Sequence, residues 1–377
     1  MSERKNLIES KIAQIDDTAT NRQKEAAKLY FAAKSGDTSA KYKLQEGIST
    51  SDIPTLLTPA VNVEFLVEYA RQAVVWNQIA EEHMTDDLGV IEFGGFQIDT
   101  SSLPPVNDGD EYVGMGLPGV SEYGEYVAVG FKTETTSATL RKNGIRLRVS
   151  WEAIRKTGNF DLIGRATREF AAAAAEQEDV SLAKQFVSTA GVINTGFTTL
   201  ALNPALTLAS LDAAKAAVGA VKVNGRTVTA PSFALVTGAG LSGTAQNLLN
   251  ITQVTEVPAS TGGESYTRNT SNGNVNAVSF AALDAVGGFA TPGATDDYWF
   301  VVPQGGARPA FIETFLTGER FPLISTKDSS HFYLDGGKVP AREGSFEDDS
   351  VETRARAVVQ ATAITPSIVI RSNSTGA

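Results

Sequence analysis

The chain has 377 residues, enough to bury a sizeable core and to form two or more domains. It has no cysteine, which excludes disulfides, zinc ribbons and thiol nucleophiles, and its two histidines, His83 and His331, lie too far apart in sequence to favour a histidine-rich metal site. The net charge of −11 disfavours nucleic-acid recognition, and neither a transmembrane run nor a secretory signal is visible, so we expect synthesis in the cytoplasm.

The first 85 residues predict two helical segments. Residues 3–34 carry a weak heptad pattern that fits either an arm reaching a partner or a surface helix packed on its own body. A polar linker follows at residues 36–47. Beyond Pro59 the chain becomes helical, and Phe65, Tyr69 and Trp76 lie near one face up to about residue 85. This second helix is either an intersubunit contact or a buried core helix.

Residues 86–140 predict a long two-stranded excursion. Its strands are GVIEFGGFQID and YVAVGFKTETTSATL, and a tip rich in proline and glycine joins them. An isolated hairpin of this length is only marginally stable in water. We therefore expect support from elsewhere, most simply from a neighbouring subunit.

Residues 138–187 turn from a strand into a long helix. Ile145, Leu147 and Val149 alternate with Arg146 and Arg148, which is typical of a half-buried strand. Ser150 is a candidate N-cap for the turn that follows, and a helix of roughly 45 Å is predicted from near Asn159 to about Ser188. Its predicted apolar stripe comprises Leu162, Ile163, Ala166, Phe170, Ala173, Val180 and Val187.

The remainder alternates between helices and strands. LTLASLDAAKAAVGAVK predicts a helix with Ser210 as its cap, PSFALVTG a buried strand, and LSGTAQNLLNI a second helix. The segment DDSVETRARAVVQATAITPSIVIRS predicts two strands, with Pro366 between them.

Three motifs resemble catalytic signatures. Gly238, Gly240 and Gly243 fit the dinucleotide pattern GxGxxG and are followed by Glu256, but no second strand of a dinucleotide-binding unit ends near that acid. Ser181 and Lys184 mimic the SxxK pair of serine acylases without its other motifs. The adjacent carboxylates Asp86-Asp87, Asp296-Asp297 and Asp348-Asp349 point to opposite faces of an extended chain, so solvated turns are the expected setting.

The order of elements resembles the major capsid proteins of tailed bacteriophages, which have the HK97-type fold. The turn Val149-Ser150-Trp151-Glu152 matches a VSxE signature before the long spine helix, and Asp161-Leu162 followed by residues 168–179 matches the helix pattern. The resemblance covers about residues 50–372 and implies an α+β fold with an extended β-hairpin loop. Its implied parts are a charged helical N-terminal arm and linker (1–48), an N-arm with a short helix (49–85), an extended loop (86–140), a peripheral domain with the spine helix (141–192), an axial domain (193–343) and closing strands of the peripheral domain (344–377).

The resemblance implies a structural protein that self-assembles as hexamers and pentamers into an icosahedral shell around a phage genome. Residues 257–295 would form an exposed loop of the axial domain, and Lys132, the one lysine of the extended loop, lies away from its tip, so the lysine crosslink known in one branch is not expected. No enzyme activity, catalytic residue, cofactor or metal is predicted. Expected partners are further copies of the chain and scaffolding and portal proteins, with decoration proteins as an optional addition. The expected location is the virion and, during assembly, the host cytoplasm. The alternatives are an encapsulin-type nanocompartment shell and, more remotely, a dinucleotide-binding enzyme.

Overall fold

The computed structural model has an α+β architecture that falls into two compact units. The residues it describes are 24, 27, 28, 32, 63–98, 131–150, 159–223, 226–250, 253–256, 265–268, 273–306, 308–327, 334 and 349–375. Unit 1 comprises Met1–Val74, Arg141–Gln177 and Thr317–Val358, and unit 2 comprises Val75–Leu140, Glu178–Leu316 and Val359–Ala377. The predicted α+β class is confirmed.

The elements are named in chain order. The helices are α1 (residues 63–71), α2 (Asn159–Phe186), α3 (Leu208–Ala220), α4 (Ala239–Asn250) and α5 (Ala281–Gly287), with 3-10 turns at Trp76–Gln78 and Pro366–Ile368. The strands are β1 (Glu81–Thr85), β2 (Val90–Ile98), β3 (Phe131–Thr139), β4 (Lys142–Ser150), β5 (Thr198–Thr199), β6 (Lys222–Val223), β7 (Arg226–Thr227), β8 (Ser232–Thr237), β9 (Gln253–Glu256), β10 (Ser265–Arg268), β11 (Val275–Ser279), β12 (Trp299–Gln304), β13 (Phe311–Leu316), β14 (Leu323–Thr326), β15 (Ser350–Ala363) and β16 (Ile370–Ser372).

Unit 1 contains a three-stranded antiparallel segment built on the first part of β15. Strand β4 pairs along one edge of β15 and β14 along the other. Arg146 lies opposite Arg354, whereas Ile145 lies opposite Ala355 on the other face. The predicted alternation of arginine and apolar residues in β4 is therefore confirmed. Ser150, the candidate N-cap, ends β4, but the residues it would cap (151–158) lie outside the described part of the chain.

The long helix α2 is confirmed, but its predicted apolar stripe is wrong in detail. The buried positions of the helix are Thr167, Phe170, Ala171, Ala174, Ala175, Glu178, Ser181, Leu182, Ala183 and Phe186. Phe170 and Val187 of the predicted stripe are buried, but Ala173 is exposed and Val180 only half-buried. Successive residues of an α-helix are about 100° apart, so Ala173 and Val180 point away from the face that holds Ala174, Glu178 and Leu182. The side chains of Leu162 and Ile163 lie outside the described residues.

Helix α1 packs within its own chain. The ring of Tyr69 stacks on Phe65 at 6.4 Å and meets the edge of Phe321, also at 6.4 Å, and both Phe65 and Tyr69 are buried. The core-helix alternative is therefore the one that these residues support.

The predicted helix does not continue to residue 85. Trp76 begins a 3-10 turn, and Glu81–Thr85 forms β1, paired in parallel with β13. The Asp179 carboxylate accepts hydrogen bonds from the backbone N–H groups of Val75 and Trp76, both at 2.9 Å. The carboxylate thus satisfies the first backbone N–H groups of the 3-10 turn, which begins a new element after α1. No local sequence signal indicates this turn.

The core of unit 2 is a five-stranded sheet in the order β11-β8-β12-β16-β5, covered on both faces. Trp299 and Val301 of β12 join an aliphatic cluster with α3 and α4, while Phe300 points to the aromatic side chains on the other face. Burial on both faces explains why β12 reads as the unbroken apolar run WFVV. The strand PSFALVTG and the helix LSGTAQNLLNI, predicted from the sequence, are confirmed as β8 and α4.

Helix α3 is confirmed, but its cap is Thr207 rather than Ser210. The Thr207 hydroxyl accepts from the Ser210 backbone N–H at 3.2 Å, and the Ser210 hydroxyl accepts from the Thr207 N–H at 2.8 Å. Ser210 is thus the third residue of a reciprocal capping box.

The prediction of an exposed loop over residues 257–295 is wrong for its second half. Strand β11 pairs in parallel with β8, and α5 follows it. Phe280 and Leu283 are fully buried in this stretch. Strand β10 also lies within the predicted loop, so its Gly, Ser, Thr and Asn content concealed three short regular elements.

The hairpin and the closing strands have the predicted form. Strands β2 and β3 pair in antiparallel register from Val90↔Thr139 to Ile98↔Phe131. At the end of the chain, a 3-10 turn that begins at Pro366 separates β15 from β16. The hairpin tip, the linker and the arm at residues 3–34, apart from helical positions 24, 27, 28 and 32, lie outside the described residues.

Candidate assembly surfaces

The GxGxxG segment is occupied by a side chain of the protein itself. Gly238 follows β8 and α4 begins at Ala239, but the Asp284 carboxylate accepts the Ala239 N–H at 2.6 Å and the Thr295 hydroxyl at 2.8 Å. A carboxylate therefore stands where a pyrophosphate would bind the helix N-terminus. Glu256 ends β9, which pairs with β10 and not with β8. The two halves of a dinucleotide fingerprint are not brought together.

We expect Asp284→Ala to lower the free energy of unfolding by about 1 kcal/mol, as loss of a helix N-cap typically does. The melting temperature of the unassembled protein measures this loss. Asp284→Asn keeps an oxygen acceptor and is the control, with an expected loss well below that of the alanine variant. Equal losses would contradict a capping role.

The other catalytic-looking residues have structural roles. The Ser181 hydroxyl is buried and accepts the Ala361 backbone N–H at 2.6 Å, while Lys184 is exposed. Asp87 accepts the Gly89 N–H at 2.7 Å in the turn before β2. Asp296 and Asp297 lie exposed in a turn, as predicted, and Asp348 and the KTG segment at 156–158 lie outside the described residues.

Histidine and carboxylate side chains do not converge on a metal site in the part of the chain that the structure describes. His83 lies edge-on to Phe93, with ring centroids 5.1 Å apart, and His331 lies outside that part. Within the same ranges, no helix combines the length and apolar character needed to cross a bilayer.

Polar contacts fix the backbone beside α2 in unit 2. The Trp76 indole N–H donates to the buried Glu178 carboxylate at 2.7 Å, and the neighbouring Asp179 caps the 3-10 turn. Carboxylates that accept such bonds in a buried setting hold their partners in one geometry. The helix therefore positions the chain that leads directly into β1 and the hairpin.

In the part of the hairpin whose side chains the structure describes, contacts to the rest of the chain lie near its base. Ala138 and Leu140 are buried, and the Thr136 hydroxyl lies 3.5 Å from the Ile364 carbonyl oxygen. Among the described strands, β2 and β3 pair only with each other. A two-stranded ribbon by itself is only marginally stable in water.

A basic face lies on the three-stranded segment of unit 1. We define it by Arg146, Arg148, Lys327, Arg354 and Arg356, which the strand register places on one side of β4, β15 and β14. The Glu352 carboxylate is the shared counter-ion of three of these cations, at 3.5 Å from Arg148, 3.6 Å from Arg146 and 3.7 Å from Lys327. Arg356 is paired with Glu319. The sequence pattern showed the alternating arginines, but only the register shows that both strands place them together.

An acidic limb lies in unit 2. We define it as residues 81–92, which hold five acidic residues and no lysine or arginine: Glu81, Glu82, Asp86, Asp87 and Glu92. All five are exposed, as are Met84, Leu88 and Val90 among them. Exposed aliphatic side chains that lie together among polar residues can mark a surface that another molecule covers.

The sequence matches a family model described as phage capsid protein over residues 133–372, more than half of the chain. The chain belongs to the phage capsid protein family. The match begins in the hairpin strand β3 and includes α2, the three-stranded segment of unit 1 and the five-stranded sheet of unit 2. The predicted identity as a phage capsid protein is thereby confirmed, and the protein is a structural component of the virion shell that associates with copies of itself.

Several solved structures match most of the chain at low sequence identity and with TM-scores below 0.5. The crystal structure of a virus-like particle from Pyrococcus furiosus matches with 6% identity, 82% of this chain, 97% of that chain and a TM-score of 0.44. The structure of Mycobacterium phage Che8 matches with 15% identity, 81% and 93% coverage and a TM-score of 0.43, and that of Gordonia phage Cozz with 12%, 89% and 93%, and 0.44. A comparison with curated proteins gave no significant match.

Proposed function

We propose that this capsid protein is the major head protein of a tailed bacteriophage and that it assembles as hexamers and pentamers into an icosahedral shell around the genome. The family match over residues 133–372 is the observation that carries the proposal, because it contains the rigid elements a shell wall needs. The role is geometric, with no catalytic step, cofactor or metal.

The proposed HK97-type arrangement assigns residues 141–192 and 344–377 to a peripheral domain and 193–343 to an axial domain. Two features support it. Most of the proposed axial domain falls within Glu178–Leu316 of unit 2, and Arg141–Gln177 and Thr317–Val358 of unit 1 include most of the peripheral segments other than the C-terminus.

The proposed mechanism depends on contacts that extended segments of one subunit make with its neighbours. The hairpin of β2 and β3 and the residues before 49 reach neighbouring copies, while scaffolding and portal proteins guide closure in the host cytoplasm. Many modest contacts repeated around each ring give a stability that no single interface supplies. Exchange of one set of these intersubunit contacts for another would let a shell change size without any covalent reaction.

Negative-stain electron microscopy of the full chain expressed alone tests the proposal. We expect closed shells, or open sheets and free hexamers. Monomers or dimers at every concentration would contradict it. Shells that purify with an enclosed enzyme would favour the encapsulin alternative instead.

Shortening the extended loop should separate folding from assembly. Phe93 pairs with Thr136, so replacing residues 94–135 by Asn-Gly leaves a hairpin base closed by a two-residue turn. We expect a soluble chain with an unchanged melting temperature that forms no regular shells, measured by thermal unfolding and electron microscopy. As a control, Asn-Gly in place of residues 257–264 closes the β9–β10 hairpin at Glu256↔Ser265 in the same way. Shells of normal diameter from the first variant would show that the loop is dispensable.

A further inference from the structure

We propose that the outer edge of strand β11 receives a strand of the β9–β10 hairpin from a second copy of the chain, so that the five-stranded sheet of unit 2 continues across a subunit contact. The inference rests on the proposed function, since it requires copies that assemble. Both surfaces belong to unit 2 and are different parts of it, as a heterologous contact that closes a ring requires.

The outer side of β11 carries unpaired backbone groups. The strand pairs in parallel with β8, where the Asn274 carbonyl accepts a hydrogen bond at 2.9 Å and the Phe280 N–H donates one at 2.8 Å. Alternate residues of a strand bond to the same neighbour, so Asn276 and Val278 also direct their backbone groups toward β8. Among the described strands, none pairs with the opposite side of β11. The N–H and C=O groups on that side belong to Val275, Ala277 and Ser279.

This edge is held in place and lacks the features that normally protect a sheet edge. Val275 and Val278 point to opposite faces of the sheet and are 5% and 3% exposed, so packing fixes the strand from both sides. Its sequence, VNAVS, has no charge and no proline, and its register with β8 has no bulge. Such features, or a very short strand, usually keep sheet edges from pairing. The other edge of the same sheet, β5, has only two residues.

The β9–β10 hairpin has the complementary property. Its strands pair over four residues, from Gln253↔Arg268 to Glu256↔Ser265, and among the described strands they pair only with each other. A hairpin of two strands is marginally stable in water, whereas a third strand gives independent stability. The strand sequences QVTE and SYTR contain valine, threonine and tyrosine, which favour strands, and are nearly as long as β11.

A second copy of the chain is the expected source of the added strand. Among the described strands of one chain, both the outer side of β11 and the outer sides of the hairpin remain without a paired strand. The protein associates with copies of itself, and each copy carries both surfaces, so every contact in a ring can join one of each. Strand addition depends on backbone hydrogen bonds rather than on charge. It therefore suits a segment with no charged residue between Arg268 and Asp284.

Hydrogen exchange of the wild-type chain tests this contact at single backbone amides. The samples are unassembled subunits and assembled particles of the full chain. In the subunits, the outward amides of Ala277 and Ser279 should exchange quickly, and the inward amides of Asn276 and Val278 slowly. In the particles, exchange of the two outward amides should slow by about tenfold or more, together with that of amides in β9 or β10.

A pair of proline variants gives an independent measurement. Ala277→Pro removes an outward N–H and should leave the melting temperature of the subunit nearly unchanged, because an edge strand tolerates proline where the N–H faces away from the sheet. The protein concentration needed for assembly should rise about tenfold or more, since the incoming strand loses a bond and meets the proline ring. The matched control is Asn276→Pro. Asn276 is also exposed, but its N–H faces β8, so this variant should lower the melting temperature of the subunit itself.

The outcomes separate this inference from the proposed function. Wild-type chain that forms no particles would contradict the proposed function and the inference with it. Particles in which Ala277 and Ser279 exchange as fast as in subunits would overturn the strand addition alone, as would normal assembly of Ala277→Pro. Outward amides already protected in subunits would show that the chain covers its own edge. Protection of β11 without any in β9 or β10 would assign the edge to another segment, and either result would overturn the inference.

Discussion

Phe186→Ala should be the most damaging conservative change in unit 2. Phe186 ends α2 and is fully buried, and its ring lies 4.6 Å from Phe311, 5.0 Å from Phe300 and 5.7 Å from Phe197, measured between centroids. Truncation leaves a cavity bordered by these rings, which belong to different strands and loops and cannot all move inward. We expect the free energy of unfolding to fall by about 3–5 kcal/mol, the usual cost of such a truncation.

Urea unfolding of the unassembled protein, followed by tryptophan fluorescence, measures this loss. Trp76 and Trp299 both lie buried in unit 2 and report on its opening. The control is Phe289→Ala, the same substitution at a phenylalanine that is 80% exposed, for which we expect a change within about 0.5 kcal/mol. We call Phe186, Phe197, Phe300 and Phe311 the aromatic cluster. Similar urea midpoints for the two variants would show that this cluster does not stabilise unit 2.

Helix α2 has two roles in unit 2. Phe186, in its last turn, packs in the aromatic cluster against the five-stranded sheet. Glu178 and Asp179, two turns earlier, accept hydrogen bonds from the backbone and indole of residues 75–76. The buried face of the helix therefore includes acids whose partners are distant in sequence by more than a hundred residues. A mutation of Glu178 or Asp179 removes a contact with the segment that leads into the hairpin, so we expect it to affect assembly as well as stability.

Local pattern was sufficient to predict the regular elements. The alternation of β4, the length of α2, the apolar run of β8 and the two halves of the hairpin each depend on neighbours within one element. These are the cases in which the type and position of an element follow directly from a local pattern.

Nonlocal contacts account for the errors. The sequence predicts a helix that continues from Pro59 to about residue 85, because nothing near Val75 indicates that the carboxylate of Asp179 caps a separate turn there. The cap of α3 was assigned to Ser210 because a capping box contains two hydroxyl residues and sequence alone does not say which is outside the helix. The basic face required the pairing of β4 with β15, strands separated by about two hundred residues in sequence.

The buried face of α2 makes a second large effect testable, at Phe170 in unit 1. Phe170 is buried, so Phe170→Asp places an unpaired carboxylate where an aromatic ring was. Burial of a charge without a partner costs several kcal/mol, about the whole stability of a typical domain. We expect insoluble or unassembled protein, measured as the soluble fraction after expression and as particles by electron microscopy.

Ala173→Asp is the matched control, because Ala173 lies one turn further along the same helix and is exposed. The stripe predicted from the sequence includes both residues and requires both substitutions to be damaging. The observed face includes only Phe170, so Ala173→Asp should cost only the difference in helix propensity, about 0.7 kcal/mol, and leave the protein soluble. Soluble, normally assembling Phe170→Asp would contradict the placement of α2 itself. If both variants are insoluble, the helix is instead buried along the stripe predicted from the sequence, and the rotation of α2 about its own axis in this structure is wrong.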